Sequence, residues 1–451
     1  MEESIDIQKD VQTKKPKKTK KVIVQVEEPI DVQNIQVEEI NNIQTKSKKE
    51  KKIKIKSPIK FIDLFCGVGG FHQAMIKINP ENKCVFACDI DKNCRYIYEK
   101  NYKLKPEGDI TKIDINKIPD FDILCGGFPC QSFSNSGNKK GFEDKRGKLF
   151  ENILKIAEYK KPSFMFLENV KHIKKIGDGI IFQHILDKIN ESGYYIDHKN
   201  VFELSPHQFG VPQQRERLVF VCIRKDLYDV NKKLNIIKPD IPININNILE
   251  KDKKITDNYK ISNEEEEILT TWDKIIKEFE VGENLSPTIL CNEFTKTYST
   301  SEFSKLPQWK QDYITKNKPI YNKYKKQWTS WLKKHEKILT KKEIYGKLEW
   351  QAGKKEENDS IFNHFIQFRQ SGIRVKKSKY FPTLVAIVQT PIYAKEKRYI
   401  TPRECARLQS FPDSFIIHEN DHTAYKQFGN AVNVDVVHHV IHNTLKEYNI
   451  I

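Results

Sequence analysis

The stretch Asp122-Ile-Leu-Cys-Gly-Gly-Phe-Pro-Cys-Gln-Ser-Phe-Ser134 decides the fold. Ile123 and Leu124 form a short apolar run bounded by turn residues, as in a central parallel strand buried on both faces. Gly126-Gly127 lets the backbone turn sharply past the strand end, and Phe128-Pro129-Cys130 opens a loop. Cys125 falls inside the strand and reads as core. Cys130 stands on the loop at the carboxyl edge, where open α/β sheets bind their ligands. A lone cysteine is more often structural than catalytic, so the reading of Cys130 depends on what the rest of the chain brings beside it.

Upstream, Ile59-Lys-Phe-Ile-Asp-Leu-Phe65 has the composition of a strand, Cys66-Gly-Val-Gly-Gly70 that of a turn, and Phe71-His-Gln-Ala-Met-Ile that of a helix start. Strand, glycine turn and helix are the first unit of a nucleotide-binding α/β fold: the glycines admit a ligand close to the backbone, and the helix start offers free N–H groups. A second strand, Lys83 to Cys88, ends in Asp89-Ile-Asp91, and an acid about 20 positions after the turn is where a ribose diol is held. A short unit, Gly108-Asp-Ile-Thr111, precedes the central strand.

Downstream, Lys148 to Tyr159 carries apolar residues at helical spacing and is closed by Pro162. Ser163 to Leu167 is another buried strand, and Glu168-Asn169-Val170 ends it on the same sheet edge as Cys130. A helix around Ile180 to Ile189 follows. Pro206 to Arg217 then leads into the strand Leu218 to Ile223, with Arg215 and Arg217 expected on one side of it. From residue 226 to 398 the alternation fades. Glu264 to Glu267 opens an acidic helical stretch, and residues 303–335 interleave lysines with Trp309, Tyr313, Tyr321, Tyr324, Trp328 and Trp331. That mixture can provide stacking platforms for a nucleic-acid strand, but the preferred reading is a helical subdomain with aromatic core and solvated lysines. Thr401-Pro-Arg-Glu404 is a capping box with proline at the first helical position, starting a helix that stops before Pro412. Gln427 to Val432 forms a glycine turn before the apolar helix Val434 to Leu445, which is expected to pack back on the first domain.

Composition narrows the class. The 451 residues suffice for a core without staples. The nine cysteines contain no C-x-x-C pair, which argues for reduced, intracellular thiols, and Cys84, Cys88 and Cys94 lack the histidine a metal site would want, so no metal is expected. No apolar run approaches a membrane span, and the polar, acidic start is unlike a secretory signal. The balance of 78 Lys+Arg against 61 Asp+Glu gives a net charge of +17, which suits a polyanionic partner. Residues 1–56 have the composition of a disordered tail, and Lys14 to Lys21 within it is either an import-type signal, a DNA tether or a merely solvated segment.

A cysteine, a carboxylate and paired arginines on one edge, beside an adenosine-sized pocket, suggest a specific chemistry. A thiolate attacks electron-poor carbons. A pyrimidine becomes electron-poor at C6 when an acid protonates its N3, and an arginine can hold the neighbouring carbonyl as charge develops. The adduct is then nucleophilic at C5, and a sulfonium methyl donor in the pocket would methylate it.

These residues resemble the DNA (cytosine-5) methyltransferase family, in its bacterial restriction–modification form. The match runs in order through Phe61 to Phe71, Gly126 to Gly137, Glu168-Asn-Val170, Gln213 to Arg217, Thr401 to Pro412 and Gly429 to Val432. The resemblance implies a Rossmann-like S-adenosylmethionine-dependent methyltransferase domain (residues 57–225 and 399–451) around a smaller mixed target-recognition domain (226–398), after the tail 1–56. It implies Cys130 as the nucleophile on C6, Glu168 as the acid at N3, and Arg215 with Arg217 orienting the base. Phe65 would stack on the adenine of S-adenosylmethionine, Asp89 would bind its ribose, Asp109 and Ile110 would frame the adenine, and Gly67, Gly69 and Asn430 would shape the pocket. Asp89 and Ile90 stand where the family usually has glutamate and a bulky aromatic. Pro129, Gln131, Ser134 and Gln213 would contact the substrate, and the loop from Ser132 to Lys148 would close over a cytosine flipped out of the duplex. The expected partner is double-stranded DNA, bound by a monomer, with room for a cognate restriction endonuclease; the setting would be the cytoplasm of a bacterium or, through the basic tail, a nucleus. Two rivals remain. A tRNA cytosine-5 methyltransferase of this fold usually has a second proline where this chain has Phe128, and a Cys-Phe-Thr motif that Cys291 to Thr295 echoes only loosely. A catalytically inactive DNA-binding relative would be expected to have lost Cys130, Glu168 or Arg217.

Overall fold

Burial alternates along the first strand: Phe61 packs on one side of β1 (Lys60–Leu64) and Ile62 and Leu64 on the other, all inaccessible to solvent. The computed structural model describes residues 55, 57–129, 147–285, 288–387 and 389–451. The tail, Cys130, Gln131, Ser134 and the expected closing loop up to residue 146 lie outside the described residues.

β1 pairs in parallel with β2 (Lys83–Cys88) on one side and with β3 (Ile123–Gly127) on the other, and β3 pairs in parallel with β4 (Phe164–Val170). β4 then meets the antiparallel β7 (Arg217–Arg224), which also pairs with β5 (Tyr194–Tyr195) and β6 (Val201–Leu204). The order 2-1-3-4-7-5 reverses direction at β1, so the crevice between the carboxyl ends of β1 and β3 is a topological switch point, where doubly wound folds bind ligands. Both faces are covered. One carries α1 (Gly70–Ile78), α2 (Lys92–Tyr102) and the C-terminal helices; the other carries α3 (Gly147–Lys160) and α4 (Ile180–Glu191).

Residues 226–398 hold more order than their sequence suggests. A helical layer, α5 (Asn263–Lys277), α6 (Gln308–Lys323) and α7 (Lys325–Leu339), covers a second sheet that composition did not reveal. The second sheet comprises β8 (Ile289–Leu290), β9 (Lys347–Gln351), β10 (Phe365–Arg369), β11 (Gly372–Lys376), β12 (Ile392–Tyr393) and β13 (Arg398–Tyr399). Leu348, Trp350, Ile366, Ile373 and Val375 share a core with Trp272, Trp328 and Trp331, so those helix aromatics are packing residues; Trp309 stays about half exposed. The alternate positions, Glu349, Gln367 and Arg374, form a polar row across the other face.

The chain returns to the first sheet through α8 (Pro402–Leu408), α9 (Asp421–Asn430) and α10 (Val434–Glu447). The capping box at Thr401 and Glu404 forms, and Glu404 also receives both ends of the fully buried Arg398 fork at 2.8 Å. The turn expected at Gly429 is instead the last turn of α9. Glycine is required there by contact: a Cβ would lie 2.3 Å from the Val385 carbonyl oxygen. Among the described residues, no helix is long and apolar enough to cross a membrane.

Candidate active site

The first half of the site follows β1 and β2. Phe65 and Gly67 adopt left-handed backbone angles (φ 53° and 52°), and a Cβ on Gly67 would meet nothing within 4 Å, so the turn leaves open space above its backbone. The Gly67 N–H donates to Asp89 Oδ2 at 2.8 Å and the Asp91 N–H to Oδ1 at 2.8 Å, which fixes the carboxylate at the end of β2. Burial nevertheless pushes the Asp89 carboxyl above its usual range. Backbone bonds from Glu107 to Ala87 and from Asp89 to Glu107 lay the next segment alongside. Asp109 caps a short turn there, accepting from the Thr111 N–H and hydroxyl, and these bonds hold its carboxyl below the usual range. Ile110 is buried beneath it, while Ile90 is 78% exposed at the rim. Asn430 ends α9 with its side chain exposed. Gly69 yields its space to Tyr102, whose ring a Cβ would strike at 2.4 Å.

The second half is built by β3, β4 and β7. Parallel register sets Gly127 beside Glu168, and antiparallel register sets Val170 opposite Arg217. Arg217 Nε lies 3.1 Å from Glu168 Oε1. Burial raises the Glu168 carboxyl above the usual carboxylate range; the Arg217 and Arg215 guanidinium groups pull the other way and burial prevails. Asn169, alternating to the other side of β4, donates from Nδ2 to the Phe128 carbonyl at 3.1 Å and so fixes the peptide two residues before Cys130. Val432 joins the halves: a Cβ on Gly70 would lie 2.5 Å from its carbonyl oxygen, and one on Gly127 would lie 3.4 Å from its Cγ2 and 3.6 Å from Glu168 Oε2. Pro129 ends the described strand-end segment.

Two expectations need correction. Arg215 does not share a strand face with Arg217, because β7 begins only at Arg217. Its Nη1 donates to the Leu384 carbonyl at 2.6 Å and its Nη2 to those of Gly429 and Ala431 at 3.0 and 3.2 Å; only the buried Nε is left without a partner. Gln213 cannot contact substrate in this arrangement: it is fully buried, donates to the Leu408 carbonyl and accepts from the Leu384 N–H. Both side chains tie the segment before β7 to Leu384 and to the C-terminal helices. Asn169 and Val432 lie inside motifs the sequence points to, but they, like Leu384, act through partners distant along the chain, so these roles are not legible there.

The edge crevice with its fixed acid, one strand away from a buried acid–arginine pair, marks a Rossmann-like methyltransferase fold. Residues 59–446 match the family model for C-5 cytosine-specific DNA methylases, and the chain belongs to that family. It is 32% identical over 385 residues to the Type II methyltransferase M.HhaI of Haemophilus parahaemolyticus, covering 85% of this chain and 94% of that one. It is 31% identical over 381 residues to the Type II methyltransferase M.HpaII of Haemophilus parainfluenzae, covering 84% and 86%. The crystal structure of the S. pombe Dnmt2 methyltransferase aligns with a TM-score of 0.51 at 18% identity over 86% of this chain and 98% of that one, a likeness of fold alone. The protein is a DNA cytosine-5 methyltransferase.

Proposed function

We propose that this chain methylates C5 of a cytosine flipped out of duplex DNA, through a covalent bond between Cys130 and C6, with S-adenosylmethionine as donor. The observation that carries this reading is the Glu168–Arg217 pair, which lies one strand away from the end of β3 where Cys130 follows. Burial, which raises the Glu168 carboxyl, favours the protonated form that donates to the cytosine N3. As that proton is shared, the Cys130 thiolate bonds to C6 and the ring's electron pair moves toward C5. Arg217, held against Glu168, is placed to bind the neighbouring carbonyl oxygen as negative charge grows. C5, now nucleophilic, would take the methyl of the bound donor as the sulfonium C–S bond breaks to a neutral thioether. Loss of the C5 proton to a base, with departure of the Cys130 thiolate, then restores the aromatic ring. Because C6 is attacked from the ring face, the base must leave the stack.

The pocket residues suit the donor. Open space over Gly67 admits a ligand against the backbone, Asp89 offers a carboxylate to a ribose diol, Phe65 and the exposed Ile90 offer apolar surface to an adenine, and Asp109 lies alongside. When bound, S-adenosylmethionine supplies an electrophilic methyl group on a sulfonium. Arg215 serves as a positioning residue, holding the turn that carries Val432 against both halves of the site.

Residues 226–398 serve as the target-recognition region. The covered face of the second sheet is core, whereas the other carries the part-exposed Arg369 and Arg374, with Arg374 Nε held 2.7 Å from Glu349 Oε2 and Arg369 Nε 3.3 Å from Gln389 Oε1. Planar forks and amides are the groups that read base edges in a major groove. Phe381 N–H bonded to the Pro212 carbonyl, and the Thr383 hydroxyl to that of Gln214, fasten this face beside the catalytic strand. The decisive experiment is Cys130→Ala: methylation of duplex DNA should vanish while S-adenosylmethionine binding, read by calorimetry, stays largely intact. Residual methylation would refute the nucleophile assignment, and methylation of tRNA but not duplex DNA by the unaltered protein would refute the substrate.

A further inference from the structure

The aromatic half of residues 303–335 goes into the core of the second body, but the lysine half does not. On α7, Trp328 and Trp331 point inward. At 3.6 residues per turn, Lys326, Lys333 and Lys337 fall within about 40° of one another on the opposite side, with Ser330 among them. Lys325 and Lys334 flank that line, and all five lysines are exposed. Among the described residues none of the five has a salt-bridge partner, whereas the neighbouring Lys310 is paired with Glu293, Lys323 with Glu280 and Glu283, and Lys341 and Lys342 with Glu264. Glu336 is the single acid of α7. Charge is thus compensated at the ends of the helical layer and left uncompensated along its outer ridge.

We infer that this ridge is a second DNA-backbone surface, separate from the methylation cleft, which holds a further length of duplex. The helical layer covers one face of the second sheet while the other face is fastened to the catalytic strand through Pro212 and Gln214, so the ridge lies on the far side of the sheet from Glu168. Lys326 and Lys333 stand about 10 Å apart along the axis and Lys333 and Lys337 about 6 Å. Duplex DNA presents a negative charge roughly every 1.7 Å of its axis, so each of these lysines can meet a phosphate. The exposed neighbours Gln327, Thr329 and Ser330 are polar, so the ridge offers neither the aromatic platform that unpaired bases stack on nor the apolar side that a bilayer surface requires.

The test uses the full chain carrying K326E/K333E/K337E, with the corresponding glutamine triple as a milder version, and K155E/K233E/K446E as a control of equal charge change elsewhere. Circular dichroism melting checks that each is folded. Binding to long duplex DNA is measured as a function of salt, and methylation is measured on a duplex barely longer than the recognition site. The slope of log K against log salt should fall in magnitude by about three, near 0.9 per lost phosphate contact, with tight binding of long DNA lost and turnover on the short duplex unchanged. An unaltered slope in the ridge variants overturns the inference, as does an equal fall in the control. Loss of binding to tRNA or to phosphatidylserine vesicles with an unaltered DNA slope overturns it as well. Turnover on the short duplex depends only on the catalytic reading, so failure of that reading is seen separately.

Discussion

The two sheets of this protein expose chemistry in opposite ways. In the first, helices cover both faces, the strand interiors are apolar apart from the buried Asp63 of β1, and the proposed site stands at the carboxyl edge, where Phe65, Gly67, Asp89 and Glu168 emerge from strand ends. In the second, helices cover one face only, and the polar side chains proposed to read the target stand in a row on the other. An edge site is made of backbone and short side chains, so its geometry is rigid and tolerates almost no change. A face site is made of long side chains on a two-residue alternation, so its members can be exchanged one at a time without disturbing the core behind them. On the proposed reading, reaction chemistry, which is the same for every target, falls on the edge, and sequence choice on the face.

The sharpest way to break this division is at Glu168. Glu168→Gln keeps the shape of the side chain but removes the proton donor, so turnover should fall by roughly 10²- to 10⁴-fold while DNA affinity changes little. A single-turnover assay at saturating DNA decides the point; a fall confined to KM would make Glu168 a binding group and remove the acid from the edge. A smaller effect of a different kind is expected on the face. Arg374→Ala deletes a fork that Glu349 holds ready, so discrimination at one base of the recognition sequence should relax by roughly 5- to 150-fold, the equivalent of about 1–3 kcal/mol, with turnover on the best site nearly unaltered. Bisulfite sequencing of randomised duplexes reads both quantities at once, and unchanged context with lowered turnover would move Arg374 into the catalytic machinery.

The same division explains what could be read from the sequence. Edge chemistry leaves local signatures: a glycine turn after a strand, an acid at the end of the next, a Pro-Cys after two glycines. The parallel strands of the first sheet and Glu168 at the end of one of them were therefore legible. Face chemistry leaves only a two-residue alternation in strands of five residues, and β9 and β11, which pair in parallel, are separated by a long connection containing β10. Such strands are hidden beside helices as strong as α6 and α7. Arg215 and Gln213 misled for another reason. The spacing of Arg215 from Arg217 suggested a shared strand face, but the strand begins later, and carbonyls about 170 to 215 residues away claim the Arg215 guanidinium. Gln213, given a substrate contact by the resemblance, is instead buried against Leu384 and Leu408. No window of local sequence contains that information.

The smallest predicted effect tests the physical state of the edge itself. Burial raises Glu168 above the range of a free carboxyl, so between the ordinary value, about 4.3, and the raised one the folded chain binds a proton that the unfolded chain has already lost. Stability from this group is fully present at low pH and is lost as pH rises through that window. Glutamine does not titrate, so Glu168→Gln should gain stability relative to the unaltered protein as pH climbs through that window, and the difference should be level above the raised value. The 3.1 Å contact with Arg217 favours the ionised carboxylate and so opposes burial within the same titration, which leaves the sign of the slope as the informative quantity. Every other titrating group is common to the two proteins and cancels. If chemical denaturation instead showed the unaltered protein gaining on the variant with rising pH, the Arg217 pair would outweigh burial, Glu168 would rest ionised, and its proton for N3 would have to come from solvent.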